Sequence, residues 1–181
     1  KDYCERIVKV LDYMKDLPEG CKAYDGVVKT LESKEKAAAN PFAEPFEWRV
    51  HRLAKKIEAG ADFIQTQCIY NIDKFEKWME GVRERGLHEQ VYIMAGVTPM
   101  KSVGMARYMQ LKVPGMDVPD EVIKRLQGAE KGKVAAEGIK FACEQIEEFK
   151  EMKGVAGVHL MAIEWEHKVP EIAERANVLP R

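Results

Sequence analysis

The sequence predicts an α/β domain of parallel βα units, an expectation carried by three observations. Short apolar runs alternate along the chain with longer segments of helical periodicity. The apolar runs, residues 91–97 most plainly, are too continuous for strands with one face in water and read as strands covered on both sides. Glycine, proline and asparagine punctuate the junctions, as at Gly60, Asn71, Gly86 and Thr98-Pro99. With 181 residues and 46% apolar content, the chain can fill one ordinary core, so a disordered chain is excluded.

Taken in order, Ile7, Val8, Val10, Leu11 and Met14 recur at helical spacing, and Leu17-Pro18-Glu19-Gly20 stops that helix. Residues 18–36 are polar and weakly periodic, an excursion loop with at most a short helix at 27–31. Ala37-Ala38-Ala39 reads as a short buried strand, after which Pro41 and Pro45 force a non-helical path. Val50, Leu53, Ala54 and Ile57 mark a helix ended by Gly60, and residues 61–68 form the next strand. Asn71 suits the N-cap of a helix whose apolar face carries Ile72, Phe75, Trp78 or Met79, and Val82, with Gly86 at its end. Residues 91–97 are a strand, 102–111 a helix, and Val113-Pro114-Gly115 a break before a short helix opened by Pro119-Asp120. A long helix spans about 132–152, the last strand covers 157–163, and Pro170 opens a final helix that ends near Ala176. Four such βα units are half of an eight-stranded barrel, and no repeat of solenoid length is present, so a barrel or a doubly wound sheet is expected.

The 29 basic and 30 acidic side chains nearly cancel, leaving no global field for nucleic acid or an anionic membrane and pointing to a small molecule or a protein as partner. Cys4, Cys21, Cys68 and Cys143 lack the close spacing of zinc, iron-sulfur or dithiol sites, and His51, His88 and His167 lack metal-ligand spacing. Free thiols, no run of roughly twenty apolar residues and no signal region lead us to expect a cytoplasmic protein. The chain starts at Lys1 and enters an amphipathic helix at once, so a fragment of a longer protein is expected.

The run Lys55-Lys56-Ile57-Glu58-Ala59-Gly60-Ala61-Asp62-Phe63-Ile64-Gln65-Thr66-Gln67 resembles the core signature of methylenetetrahydrofolate reductases. Ile93-Met94-Ala95-Gly96-Val97-Thr98-Pro99-Met100 and Val155-Ala156-Gly157-Val158-His159-Leu160-Met161 follow in the order of that family's last two barrel strands. The resemblance covers roughly residues 37–179 and implies a (βα)8 TIM barrel. This chain would supply about the C-terminal four units, either as a single domain over 1–181 or as half of a larger one, with flavin at the strand carboxyl ends. It implies an oxidoreductase of one-carbon metabolism that interconverts 5,10-methylenetetrahydrofolate and 5-methyltetrahydrofolate by hydride transfer through flavin adenine dinucleotide (FAD), with the mononucleotide (FMN) as the other candidate.

Carried over residue by residue, the resemblance makes Gln67 a contact to the folate pterin, since an amide at a strand end can donate and accept. Otherwise it ties down the next loop. Lys56 matches a lysine near the flavin, and Arg52, one helical turn earlier, could share a phosphate with it; otherwise Lys56 is a solvated lysine and Arg52 pairs with Glu47 or Glu58. Asn40 falls where the family's chain approaches flavin, or else makes a turn before proline. Gly96 reads as scaffold and as a neighbour of the cofactor. Met161 stands where some members carry a tyrosine near the cofactor, and Met109 where an aromatic often lines the folate and nicotinamide site, though a core role suits both. His159, inside a strand, is assigned to structure, and Glu164 and Glu166 to solvated loop positions.

The family's proton-donating glutamate belongs to the first barrel strand and its flavin-tuning aspartate to the fourth, so the resemblance assigns no catalytic residue to this segment. A half barrel would leave two sheet edges unpaired, and the missing half is expected from a longer chain or a partner subunit, in an oligomer, with little activity from this segment alone. The electron donor would be NAD(P)H or an iron-sulfur protein. The competing expectations are a non-catalytic folate- or flavin-binding subunit of a redox or methyl-transfer complex, and an unrelated barrel that binds a sugar phosphate.

Overall fold

In the computed structural model, residues 36–178 are described, so the expected first helix, the excursion loop up to residue 35, Cys4 and Cys21 lie outside the described residues. Four strands, β1 (Lys36–Ala39), β2 (Phe63–Cys68), β3 (Tyr92–Val97) and β4 (Val155–Leu160), form one parallel sheet in chain order. Six helices connect or follow them: α1 (Trp48–Glu58), α2 (Ile72–Glu84), α3 (Val103–Lys112), α4 (Asp120–Gln127), α5 (Val134–Glu151) and α6 (Val169–Arg175). A parallel sheet ordered as the chain runs needs a crossover at every step. Crossovers of one hand stack the helices that pack on the sheet on one face. This is the arrangement of the TIM-barrel class rather than of a doubly wound sheet, whose order reverses at a switch point.

The packing agrees. Ile64 of β2 and Ile93, Ala95 and Val97 of β3 share one buried cluster with Leu53 of α1, Phe75, Trp78 and Met79 of α2, Ile146 and Phe149 of α5 and Ile172 of α6. On the other face Ala38 is exposed and Tyr92 is 67% exposed. A second cluster, with Cys68, Tyr70, Met100, Met109, Val122 and Leu126, closes the sheet's carboxyl end under α3 and α4.

Local signals explain most boundaries. The Asn71 side chain accepts the Lys74 backbone N–H at 3.0 Å and Ser102 accepts that of Met105 at 3.1 Å, each satisfying a first-turn donor that helix geometry leaves open. Gly86, at φ 62°, follows α2 in the left-handed region that glycine enters without strain. The last strand differs from expectation. β4 begins at Val155 and ends at Leu160, where residues 157–163 were expected: the Met161 N–H makes the last bond to β3, at the Val97 carbonyl (2.8 Å), and beyond it the Ile163 N–H turns back on the Met161 carbonyl (3.1 Å) and the Trp165 N–H on that of Ala162 (2.9 Å).

Two contacts show how tightly this end is built. The β2–β3 register shifts between Gln65 and Cys68, and the Gly96 N–H goes to the Thr66 hydroxyl at 2.8 Å. A Cβ on Gly96 would sit 2.6 Å from the Thr66 carbonyl oxygen and 2.7 Å from that of Gln67, so the strands need glycine there. Likewise a Cβ on Gly138 of α5 would lie 1.8 Å from the Met100 carbonyl oxygen, which is backbone and has nowhere to go. Gly138→Ala is expected to destabilise the fold by at least about 2 kcal/mol, although alanine is the better helix former. Urea unfolding of the variant against the parent measures this, and an unchanged midpoint would disprove the contact.

Candidate functional site

The parallel sheet brings every strand's carboxyl end to one rim, and Gln67, Gly96, His159 and Met161 lie there, with Asn40 just past β1. Gly96 pairs in register with Cys68 on one side and His159 on the other. Gln67 lies in the irregular stretch of β2 between Gln65 and Cys68. Its Oε1 accepts the Cys68 backbone N–H at 3.1 Å and lies 3.8 Å from the Cys68 thiol. A backbone N–H can only donate, so the amide orientation is fixed. Among the described residues no partner meets its NH2, which leaves that group for a ligand. The amide expected to donate and accept therefore has its oxygen already engaged.

Arg52 and Lys56 come together on one side of α1, where with Lys55, Arg49, Trp48 and His51 they line an open groove of about 700 Å³. Neither Glu47 nor Glu58 pairs with Arg52, and among the described residues Arg52, Lys55 and Lys56 make no ion pair. A cluster of three cations with no ion pair among the described residues suits phosphate oxygens. Gln67 does not line this groove.

The remaining expected residues are drawn into structure. Asn40 Oδ1 accepts the backbone N–H groups of Phe42 (3.0 Å) and Ala43 (3.2 Å), making the turn before the prolines, and its Nδ2 leaves no room for a Cβ on Gly115. Met109 is buried in the second cluster, its sulfur 3.7 Å from the Tyr70 hydroxyl, and half-buried Met161 packs on the same cluster. Gly96 owes its identity to the crowded strands described above.

Beneath the rim lies a buried polar chain that motif reading missed. Cys68 Sγ is 2.9 Å from Thr98 Oγ1, and the Tyr70 hydroxyl donates to the Thr98 carbonyl at 3.1 Å. Burial raises the Cys68 thiol pKa and pushes the Tyr70 phenol well above its ordinary value, so both keep their protons. The sequence signal was the presence of three polar side chains, Cys68, Tyr70 and Thr98, at buried strand ends. A second cleft, about 360 Å³, lies between Phe42 and Met116 and contains the Lys74–Asp117 ion pair at 3.0 Å. Among the described residues no cluster of three or more His, Cys, Asp or Glu side chains is placed to hold a metal ion, and no helix is long and apolar enough to cross a membrane.

The sequence comparison decides the family. A family model described as methylenetetrahydrofolate reductase matches residues 16–177. The chain belongs to the methylenetetrahydrofolate reductase family. Relatives in this family include methylenetetrahydrofolate reductase 2 of Saccharomyces cerevisiae, 29% identical over 140 residues that cover 71% of this chain and 21% of that protein. Methylenetetrahydrofolate reductase (NADH) 1 of Arabidopsis thaliana is 32% identical over 116 residues, covering 61% of this chain and 18% of that protein. The chain thus spans about a fifth of the length of these curated relatives. Among solved structures, an uncharacterized protein from Clostridium thermocellum that binds two copies of 5-methyl-5,6,7,8-tetrahydrofolic acid shares the fold, with a TM-score of 0.53 and 16% identity, over 78% of this chain and 51% of that one.

Within this family fold His159 is electrically silent. Burial lowers its pKa from 6.5 to about 4, so the imidazole is neutral at ordinary pH. Unfolding restores the ordinary value, and the unfolded chain therefore takes up a proton that the native chain refuses between those two values. The stabilisation is complete above pH 6.5, falls through that window and is gone below about pH 4, a loss of at most roughly 3 kcal/mol. Urea midpoints measured between pH 7 and 4 should fall less in His159→Gln than in the parent; equal slopes would refute the shift.

Proposed function

We propose that this chain forms the folate-binding half of a flavin-dependent methylenetetrahydrofolate reductase that interconverts 5,10-methylenetetrahydrofolate and 5-methyltetrahydrofolate in the cytoplasm. The observation that carries the reading is the family match over residues 16–177, joined at the rim by Gln67 with its NH2 left open. The folate-binding neighbour of the same fold supports a folate ligand. The FAD such an enzyme uses, or FMN in its place, supplies the hydride chemistry when bound.

What these residues contribute is position and charge. Arg52, Lys55 and Lys56 give a phosphate-bearing cofactor three cationic donors in one groove, and the groove volume accommodates a nucleotide. Gln67 donates to the pterin, while Met109 and Met161 give the site an apolar wall with no phenol near the cofactor. Asn40 and Gly96 would act by shape, Asn40 Oδ1 fixing the loop after β1 and Gly96 permitting the close β2–β3 contact at the rim. The proton donor and the rest of the barrel come from outside the described residues, in the same longer chain or a partner subunit of an oligomer, and pair with β1 and β4, the edge strands of the sheet among the described residues. The electron donor is NAD(P)H, NADH being the donor in the name of the Arabidopsis relative, or an iron-sulfur protein.

The test is the absorbance spectrum of the intact protein. Flavin bands are expected, bleaching under anaerobic conditions on addition of 5-methyltetrahydrofolate. Absence of flavin from a protein with a complete barrel would sink the reductase reading. Lys56→Ala and Arg52→Ala should each weaken flavin binding by about ten- to a hundredfold, the worth of a charge-assisted hydrogen bond. Fluorescence titration of the flavin-free protein measures it.

A further inference from the structure

The buried polar chain under the rim has no part in the reading above and touches both proposed folate contacts. At one end the Cys68 backbone N–H and thiol meet Gln67 Oε1, at 3.1 and 3.8 Å. At the other the Tyr70 hydroxyl contacts the Met109 sulfur at 3.7 Å. The Thr98 residue joins them, through its hydroxyl to Cys68 Sγ at 2.9 Å and through its carbonyl to Tyr70 at 3.1 Å. Cys68, Tyr70 and Thr98 are each no more than 3% exposed. Packing alone would be served as well by valine or phenylalanine at such positions, and a polar group in a dry site is costly unless bonded.

The directions of these bonds define a function. Thr98 can give its proton to Cys68 Sγ, which frees the S–H to point at Gln67 Oε1, where the Cys68 N–H also arrives. Both donors hold the amide by its oxygen, and the NH2 faces the other way. We propose that Cys68 and Thr98 are positioning residues for the substrate, locking Gln67 so that it offers hydrogen-bond donors to an acceptor edge of the folate heterocycle. This rests on the folate reading of Gln67. A ring edge carrying a carbonyl oxygen or an unprotonated nitrogen would be accepted, and one presenting N–H groups would meet two opposed donors.

The experiment is a double-mutant cycle on 5-methyltetrahydrofolate binding to the intact, flavin-loaded protein, read by calorimetry. Thr98→Val keeps the shape and removes the hydroxyl; Thr98→Ser keeps the hydroxyl. Thr98→Val should raise Kd by roughly three- to tenfold, about one hydrogen bond, with the flavin spectrum unchanged, and Thr98→Ser should restore most of the affinity. In a Gln67→Ala background Thr98→Val should change nothing further, since its effect passes through the amide. Equal losses from Thr98→Val with and without Gln67, or no loss at all, would overturn the positioning role while leaving the folate reading intact. A parent protein that fails to bind 5-methyltetrahydrofolate would remove the folate reading itself, and the positioning role with it.

Discussion

Everything in this fold follows from hydrogen-bonding four parallel strands in the order in which the chain makes them. Parallel neighbours cannot be joined by a tight turn, so each step needs a helix, and a constant crossover hand lays the crossover helices α1, α2 and α5 on the same face. That is why α1, α2, α5 and α6 share one apolar cluster with β2 and β3, while the other face carries the exposed Ala38 and Tyr92 beside the buried Phe63. The same rule collects the strand carboxyl ends at one rim, the natural place to gather residues far apart in sequence.

The rim is also where the strands crowd most. The register shift in β2 brings the carbonyls of Thr66 and Gln67 against Gly96 and turns the Thr66 hydroxyl into an acceptor for the Gly96 N–H. The irregularity frees Gln67 from an ordinary ladder position and ties its oxygen to the next residue. A regular strand would have left that amide free to rotate.

Elements with chemical punctuation could be read from the sequence. Asn71 and Ser102 cap their helices by side-chain acceptance, and Gly86 follows α2 with a positive φ, so the ends of α2 and the start of α3 were legible from single residues. The bounds of β4 were not, because Ile163 continues the apolar run while backbone bonds from Ile163 and Trp165 turn the chain away. In the candidate site, the Arg52–Lys56 pairing was legible because four residues make a helical turn. The Cys68–Thr98 contact was not, since it joins residues thirty apart in sequence and exists only because β2 and β3 pair in parallel. The turn-making role of Asn40 was one of two readings open to the sequence, and the two backbone donors at its side-chain oxygen show it in use.

Helix α5 touches the rim from behind at two places. Gly138 rides on the Met100 carbonyl with no space for a methyl group, and Gln145, two turns along, gives its side-chain N–H to the Ile69 carbonyl at 2.6 Å. The segments that leave β2 and β3 are thereby gauged against a single rigid rod. Neither can shift toward an incoming ligand without dragging eighteen residues of helix along, so this side of the rim behaves as an anvil, and any closing motion belongs to whatever lies opposite.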